Sequence, residues 1–177
     1  MGFTAAGISP TTVTTTQQMP LGFQLTVPNG DNGPQVWVYV FNDHAAFAVG
    51  NVITMDVSEA SGDHNRYHAV KAPAMEEGTP AFSVLGVAQH AIAGGSYGFI
   101  LKQGVGEVLA GAGTIPERSA TGAGTICVDD AGDASGEAMG SATLVDGNIK
   151  YNCDIGFSLE NDAVADGSLA TCYINCQ

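Results

Sequence analysis

A chain of 177 residues can bury a real core and fits one large domain or two small ones. Its 18 acidic side chains against five basic ones leave a net charge of −13, and the basic residues Arg66, Lys71, Lys102, Arg118 and Lys150 stand singly. That excludes a phosphate-binding surface, so no direct nucleic-acid partner is expected. No apolar run is long enough to span a bilayer, and the N-terminus lacks the basic and apolar regions of a secretion signal, so no membrane partner and synthesis in the cytoplasm are expected.

Residues 1–20 are threonine-rich and carry no charged side chain. They read as a tail or as an extended arm lying across a neighbouring subunit, with Phe3, Ile8 and Val13 as its apolar pegs. From Leu21 the chain reads as strands. Phe23, Leu25 and Val27 alternate with polar residues, and PNGDNGP (28–34) makes a turn. In QVWVYVF (35–41), Val36, Val38 and Val40 share one face, and Trp37, Tyr39 and Phe41 the other. A strand apolar on both faces is either central in the fold or covered by another subunit, so Trp37, Tyr39 and Phe41 are candidates for either core or interface.

Further strands are expected at 51–57, 67–71, 81–89, 97–103, 105–109, 125–128, 141–145, 149–152 and 169–175. A hairpin is expected at Asp146-Gly147-Asn148, and a loop over 110–140. No dozen-residue window holds a glycine-free helical stripe. The expectation is an all-β fold, a small barrel or sandwich, with residues 1–20 as the arm and 21–177 as one domain, or as two similar halves at about 21–110 and 111–177.

Three turns repeat a pattern: AFAVGN (46–51), AIAGGS (91–96) and AVADGS (163–168). Each is Ala, a bulky apolar residue, Ala, a variable residue, Gly, then Asn or Ser, and each opens an apolar run. The last two share an upstream element, Leu85-Gly86-Val87-Ala88 against Ile155-Gly156-Phe157-Ser158. The offset is 70 from Gly86 to Gly156 and 72 from Ala91 to Ala163. Small residues around one plug pack a corner, and the glycine lets the chain reverse.

Gly94-Gly95-Ser96-Tyr97-Gly98 formally matches the G-x-S-x-G nucleophile turn. However, Ser96 precedes a strand rather than a helix, and His44, His64, His68 and His90 all lie before it. GVGEVLAGAG (104–113) places Leu109 where a dinucleotide loop needs its third glycine. His64 and His68 have the spacing of helical zinc ligands but stand in a loop-like stretch. Asp129, Asp130, Asp133 and Glu137 lack the order of a calcium loop. The spacing of Cys127, Cys153, Cys172 and Cys176 fits no zinc motif and leaves buried thiols or disulfides open. No enzyme, cofactor or metal site is expected.

The run Leu85-Gly86-Val87-Ala88 with Ala91-Ile92-Ala93-Gly94-Gly95, repeated more weakly at 155–167, resembles the capsid cement (head decoration) proteins of tailed bacteriophages. The resemblance covers about residues 45–175. It implies a β-rich homotrimer on the outer surface of the virion, at three-fold or quasi-three-fold positions, clamping neighbouring copies of the major capsid protein. The family has no catalytic residues to carry over. The competing expectation is a secreted or surface module that binds carbohydrate through Trp37 and Tyr39, or through the acidic loop with calcium.

Overall fold

A computed structural model describes residues 9–30, 32–56, 67–72, 83–111, 115, 125–128, 138–140 and 154–176. Phe3, Ile8, His64, the acidic loop, the 146–148 hairpin and the expected strands at 141–145 and 149–152 lie outside them, as do Cys153 and the Cys127 side chain. The described residues form ten strands and no helix: β1 (Gln24–Gly30), β2 (Gly33–Asn42), β3 (Val52–Met55), β4 (His68–Lys71), β5 (Val84–Val87), β6 (Ser96–Leu109), β7 (Thr125–Val128), β8 (Ala138–Gly140), β9 (Asp154–Ser158) and β10 (Leu169–Asn175). The all-β expectation holds. Two details differ. The strands expected at 97–103 and 105–109 are one 14-residue strand, β6, and the segment expected to be loop contains β7's partner, β8.

The strands join one mixed sheet in the order β1-β2-β4-β3-β5-β6-β10-β9-β7-β8, with an added β2–β6 pairing. That pairing closes β2, β4, β3, β5 and β6 into a ring, in which β2–β4 is parallel and the other pairs antiparallel. Closure removes the open edges that invite aggregation. The ring encloses Val38, Val40, Phe47, Ile53, Ala69, Leu85, Ala88, Ile92 and Ile100.

Among the described residues the pairings of β6 to β10 repeat those of β2 to β6, with β6 shared between them, except that no β8–β6 pairing matches β2–β4. We call Gly33–Gln103 the first unit and Gly104–Asn175 the second. Ile53 of β3 stands opposite Gly86 of β5 and Lys71 of β4, with a bulge after Ile53. In the second unit Ile126 of β7 stands opposite Gly156 of β9 and Gly140 of β8, with the same bulge after Ile126. Val87 faces Leu101 across β5–β6, as Phe157 faces Tyr173 across β9–β10. Phe41 faces Tyr97, as Leu109 faces Leu169.

The corners follow the same rule. Phe47 bridges Ile92, and Val164 bridges Ile115, each through a reciprocal pair of backbone hydrogen bonds of 2.8–3.2 Å. Gly95 N–H donates to the Asn42 carbonyl at 2.8 Å, and Gly167 N–H to the Ala110 carbonyl at 2.9 Å. The three repeated glycines, Gly50, Gly95 and Gly167, have φ of 84°, 71° and 72°, the left-handed region that a side chain disfavours. Ile115 thus stands for a fourth corner, which the sequence hides because 114–119 reads TIPERS and has no glycine. In these pairings the change from one unit to the next falls inside β6 near Gly104, not at the expected 110/111, because the strand that pairs with β2 runs directly into the stretch that pairs with β10.

The second unit's interior, Val108, Ile115, Ile126, Ile155, Val164, Ala170 and Cys172, belongs to a cluster that also takes in the outward face of the first unit, including Trp37, Tyr39, Phe99 and Leu101. Cys172 and Cys176 are buried free thiols. Burial pushes both up to about 12, with Glu160 adding to the rise at Cys172 and Lys102 opposing it at Cys176. As protonated thiols, they are poor nucleophiles.

Candidate interaction surface

The expected site residues separate in the structure. Trp37 (6% exposed) and Tyr39 (2%) are core residues of this chain rather than a free interface. Phe41 is half-buried, with its ring 4.7 Å from Tyr97 and 5.3 Å from His68. Val13 is exposed at 37%. The two alternatives for the doubly apolar strand therefore resolve toward a central position: β2 buries Val38 and Val40 in the ring and Trp37 and Tyr39 in the larger cluster.

What covers those aromatics is the chain's own N-terminal segment. Thr14 bridges Tyr97 through N–H···O bonds of 3.0 and 2.8 Å. Gln18 N–H donates to the Tyr39 hydroxyl at 3.2 Å, and β1 pairs with β2 so that Leu25 stands opposite Trp37. Met19, Leu21, Phe23 and Val27 pack onto the cluster. A shallow pocket of about 110 Å³ remains between Thr12, Thr14, Gln18 and Tyr39.

The equivalent face of the second unit has no such cover among the described residues. By the register above, Tyr97, Phe99 and Leu101 correspond to Leu169, Thr171 and Tyr173, an offset of 72 (97 to 169). Trp37, Tyr39 and Phe41 correspond to Val105, Glu107 and Leu109, an offset of 68 (41 to 109), and Val87 corresponds to Phe157. Phe157 is 45% exposed and Leu169 43%. Phe157 stacks on Tyr173 at 5.1 Å and 22°, and Gln103 Nε2 donates to the Tyr173 hydroxyl at 3.3 Å. The alternation in LATCYIN carried this signal: Leu169, Thr171 and Tyr173 share one face and Ala170, Cys172 and Ile174 the other.

Two histidine–aspartate contacts sit at the first corner. His44 Nε2 lies 2.8 Å from Asp56 Oδ2 and His68 Nδ1 lies 3.6 Å from Asp43 Oδ2. Among the described residues no three His, Cys, Asp or Glu side chains converge as a metal site. Ser96 is buried where β6 begins, opposite Asn42, and no helix follows it. No protein-family model, curated protein or solved structure matches the chain.

His90 is distinctive because both ring nitrogens are buried with no hydrogen-bond partner among the described residues, and burial lowers its pKa below 6.5 by disfavouring the imidazolium. The unfolded chain therefore binds this proton more readily than the folded one. The His90 contribution to stability is intact above pH 6.5 and is lost as pH falls from there through the folded pKa. Urea unfolding midpoints of the wild type should drop over that window more steeply than those of His90→Gln. Parallel pH profiles for the two proteins would remove His90 as the cause.

Proposed function

We propose that the chain is a capsid cement protein, a structural protein on the outside of a tailed-phage head that binds the major capsid protein as a homotrimer. The observation that carries this reading is the asymmetry between two duplicated units. One has its outward face covered by the chain's own N-terminal segment; the other presents Phe157, Leu169 and Tyr173 outward. Exposed apolar side chains clustered on one sheet face mark attachment surfaces. The sequence element that suggests the family is also the element duplicated: Leu85–Gly95 and Ile155–Gly167 hold the matched bulges and corners. Weak contacts of this kind, repeated over a symmetric lattice, give firm attachment through multivalency.

The carbohydrate alternative loses its main support, because Trp37 and Tyr39 are buried. The test is addition of the purified chain to expanded heads lacking a decoration protein, followed by sedimentation and heating, with light scattering to give its mass. Co-sedimentation, a raised disruption temperature and a trimeric mass are expected. A monomer that leaves the heads unchanged would sink the proposal.

A further inference from the structure

The duplication indicates what the uncovered face of the second unit accepts. In the first unit two extended segments complete the outward side: β1 along β2, and residues around Thr14 along β6 at Tyr97. In the second unit the place equivalent to β1's is sealed by the side chains of Gln35 and Gln89 and by the backbone carbonyl of Gly50. Gln35 Nε2 donates to the Val105 carbonyl at 3.0 Å. The Gln89 amide both donates to the Glu107 carbonyl at 2.9 Å and accepts from its N–H at 2.8 Å. Leu109 N–H donates to the Gly50 carbonyl at 3.0 Å.

The place equivalent to Thr14's, at Leu169, is not sealed. Leu169 stands opposite Leu109, whose N–H points away from β10 to Gly50. In an antiparallel ladder the N–H and C=O of Leu169 must then point away from β6 as well. No described residue takes them, whereas their counterparts on Tyr97 are both bonded to Thr14. The next outward-pointing residue, Thr171, is already taken, with its N–H on Glu160 Oε1 at 2.6 Å and its carbonyl on Leu159 N–H at 2.9 Å.

We propose that the edge at Leu169, with the apolar face of Phe157 and Tyr173 beside it, is a docking site for an extended segment of a neighbouring protein that carries apolar pegs and Lys or Arg. The extended form follows from the pair of backbone groups that no described residue takes and from Thr14's example in the first unit. The basic character follows from charge. Residues 160–171 carry Glu160, Asp162 and Asp166 and no Lys or Arg, and Glu107 lies on the same face. A copy of this chain's own segment, uncharged from residue 1 to 20, leaves that acidic rim unanswered. The proposal deepens the cement reading, and the identity of the partner as a shell protein rests on that reading; the site itself rests on the geometry.

The experiment uses two fluorescein-labelled peptides: residues 12–27 of this chain, and the same peptide with Lys in place of Gln17, Gln18 and Gln24. Anisotropy is read against the full-length wild type, Phe157→Ser/Leu169→Ser and Asp162→Lys/Asp166→Lys, each checked for unchanged circular dichroism. The Lys peptide should bind the wild type more tightly than the neutral one. Both double variants should weaken it by about tenfold or more, and so should salt raised toward about 1 M. Peptide binding unaffected by Phe157→Ser/Leu169→Ser would place it in the first unit by exchange with residues 12–27 and overturn the site. Equal binding of both peptides would overturn its basic preference. Shells bound equally well by wild type and Phe157→Ser/Leu169→Ser would refute the site and leave the cement reading standing. Peptide bound at the site by a chain that ignores shells would do the reverse.

Discussion

Gly156→Ala should be among the most damaging single changes in the chain, lowering stability by about 3 kcal/mol or more. Gly156 sits at the bulge where β9 meets β7, has φ of 154°, and lies against β10, where an added Cβ would overlap the Tyr173 carbonyl. Neither obstacle is the movable end of a side chain, since both are backbone. Its counterpart Gly86 has ordinary φ, but a Cβ there would stand 2.6 Å from the Leu101 carbonyl. The same close approach of two strands therefore recurs in both units, and Gly86→Ala should also destabilise, though by less because only the contact is strained. For a chain of this size, thermal midpoints should fall by roughly 6–12 °C for Gly156→Ala. By contrast, Gly95→Ala meets no atom within 4 Å and strains only φ, so its cost is about 1–2 kcal/mol. If scanning calorimetry ranked Gly95→Ala above Gly156→Ala, the packing argument would fail.

These glycines also show how much of the molecule could be read in advance. The spacing of Gly86 and Gly156 and the three corner patterns are local signals, so the repeat was visible and its glycines took the backbone role expected of them. The period-two alternation in QVWVYVF and LATCYIN likewise placed two strands within a residue or two of their bounds. The unit boundary was not visible, because a chain passing from one unit to the next without a turn leaves no punctuation; Gly104 reads as a break but lies inside one continuous strand, with φ of 126° and in tight contact with Pro34 and Gln35. The fate of Trp37 and Tyr39 was equally hidden. Alternation tells that both faces of β2 are apolar but not what covers them, and the cover comes from residues 14–27, far from any local pattern. The face at Phe157 went unread for a related reason: its apolar residues come from β6, β9 and β10, three strands that only register brings side by side.

Phe47→Ala should cost about 3–5 kcal/mol, a large part of the total stability of an ordinary domain. The Phe47 ring is 1% exposed inside the closed ring of strands, among Val38, Ile53, Leu85, Ile92 and Ile100. Truncation leaves its two backbone bonds to Ile92 in place, so the loss is one of packing, a cavity that a hydrogen-bonded barrel wall cannot collapse to fill. Ile115→Ala is the same change in the second unit, where Ile115 is fully buried, and should cost about 2–5 kcal/mol. The two variants together ask whether the units unfold as one. β6 belongs to both, and one buried cluster holds Trp37 of the first unit with Ile115 of the second. Trp37 is the chain's single tryptophan, so its fluorescence reports the first unit while circular dichroism reports all the strands. In urea, Ile115→Ala should lower the Trp37 midpoint as far as it lowers the circular-dichroism midpoint, because a strand shared lengthwise cannot lose one half and keep the other aligned. If the Trp37 transition stayed at its wild-type midpoint while circular dichroism split into two steps, the units would be independent folds joined only by covalent continuity.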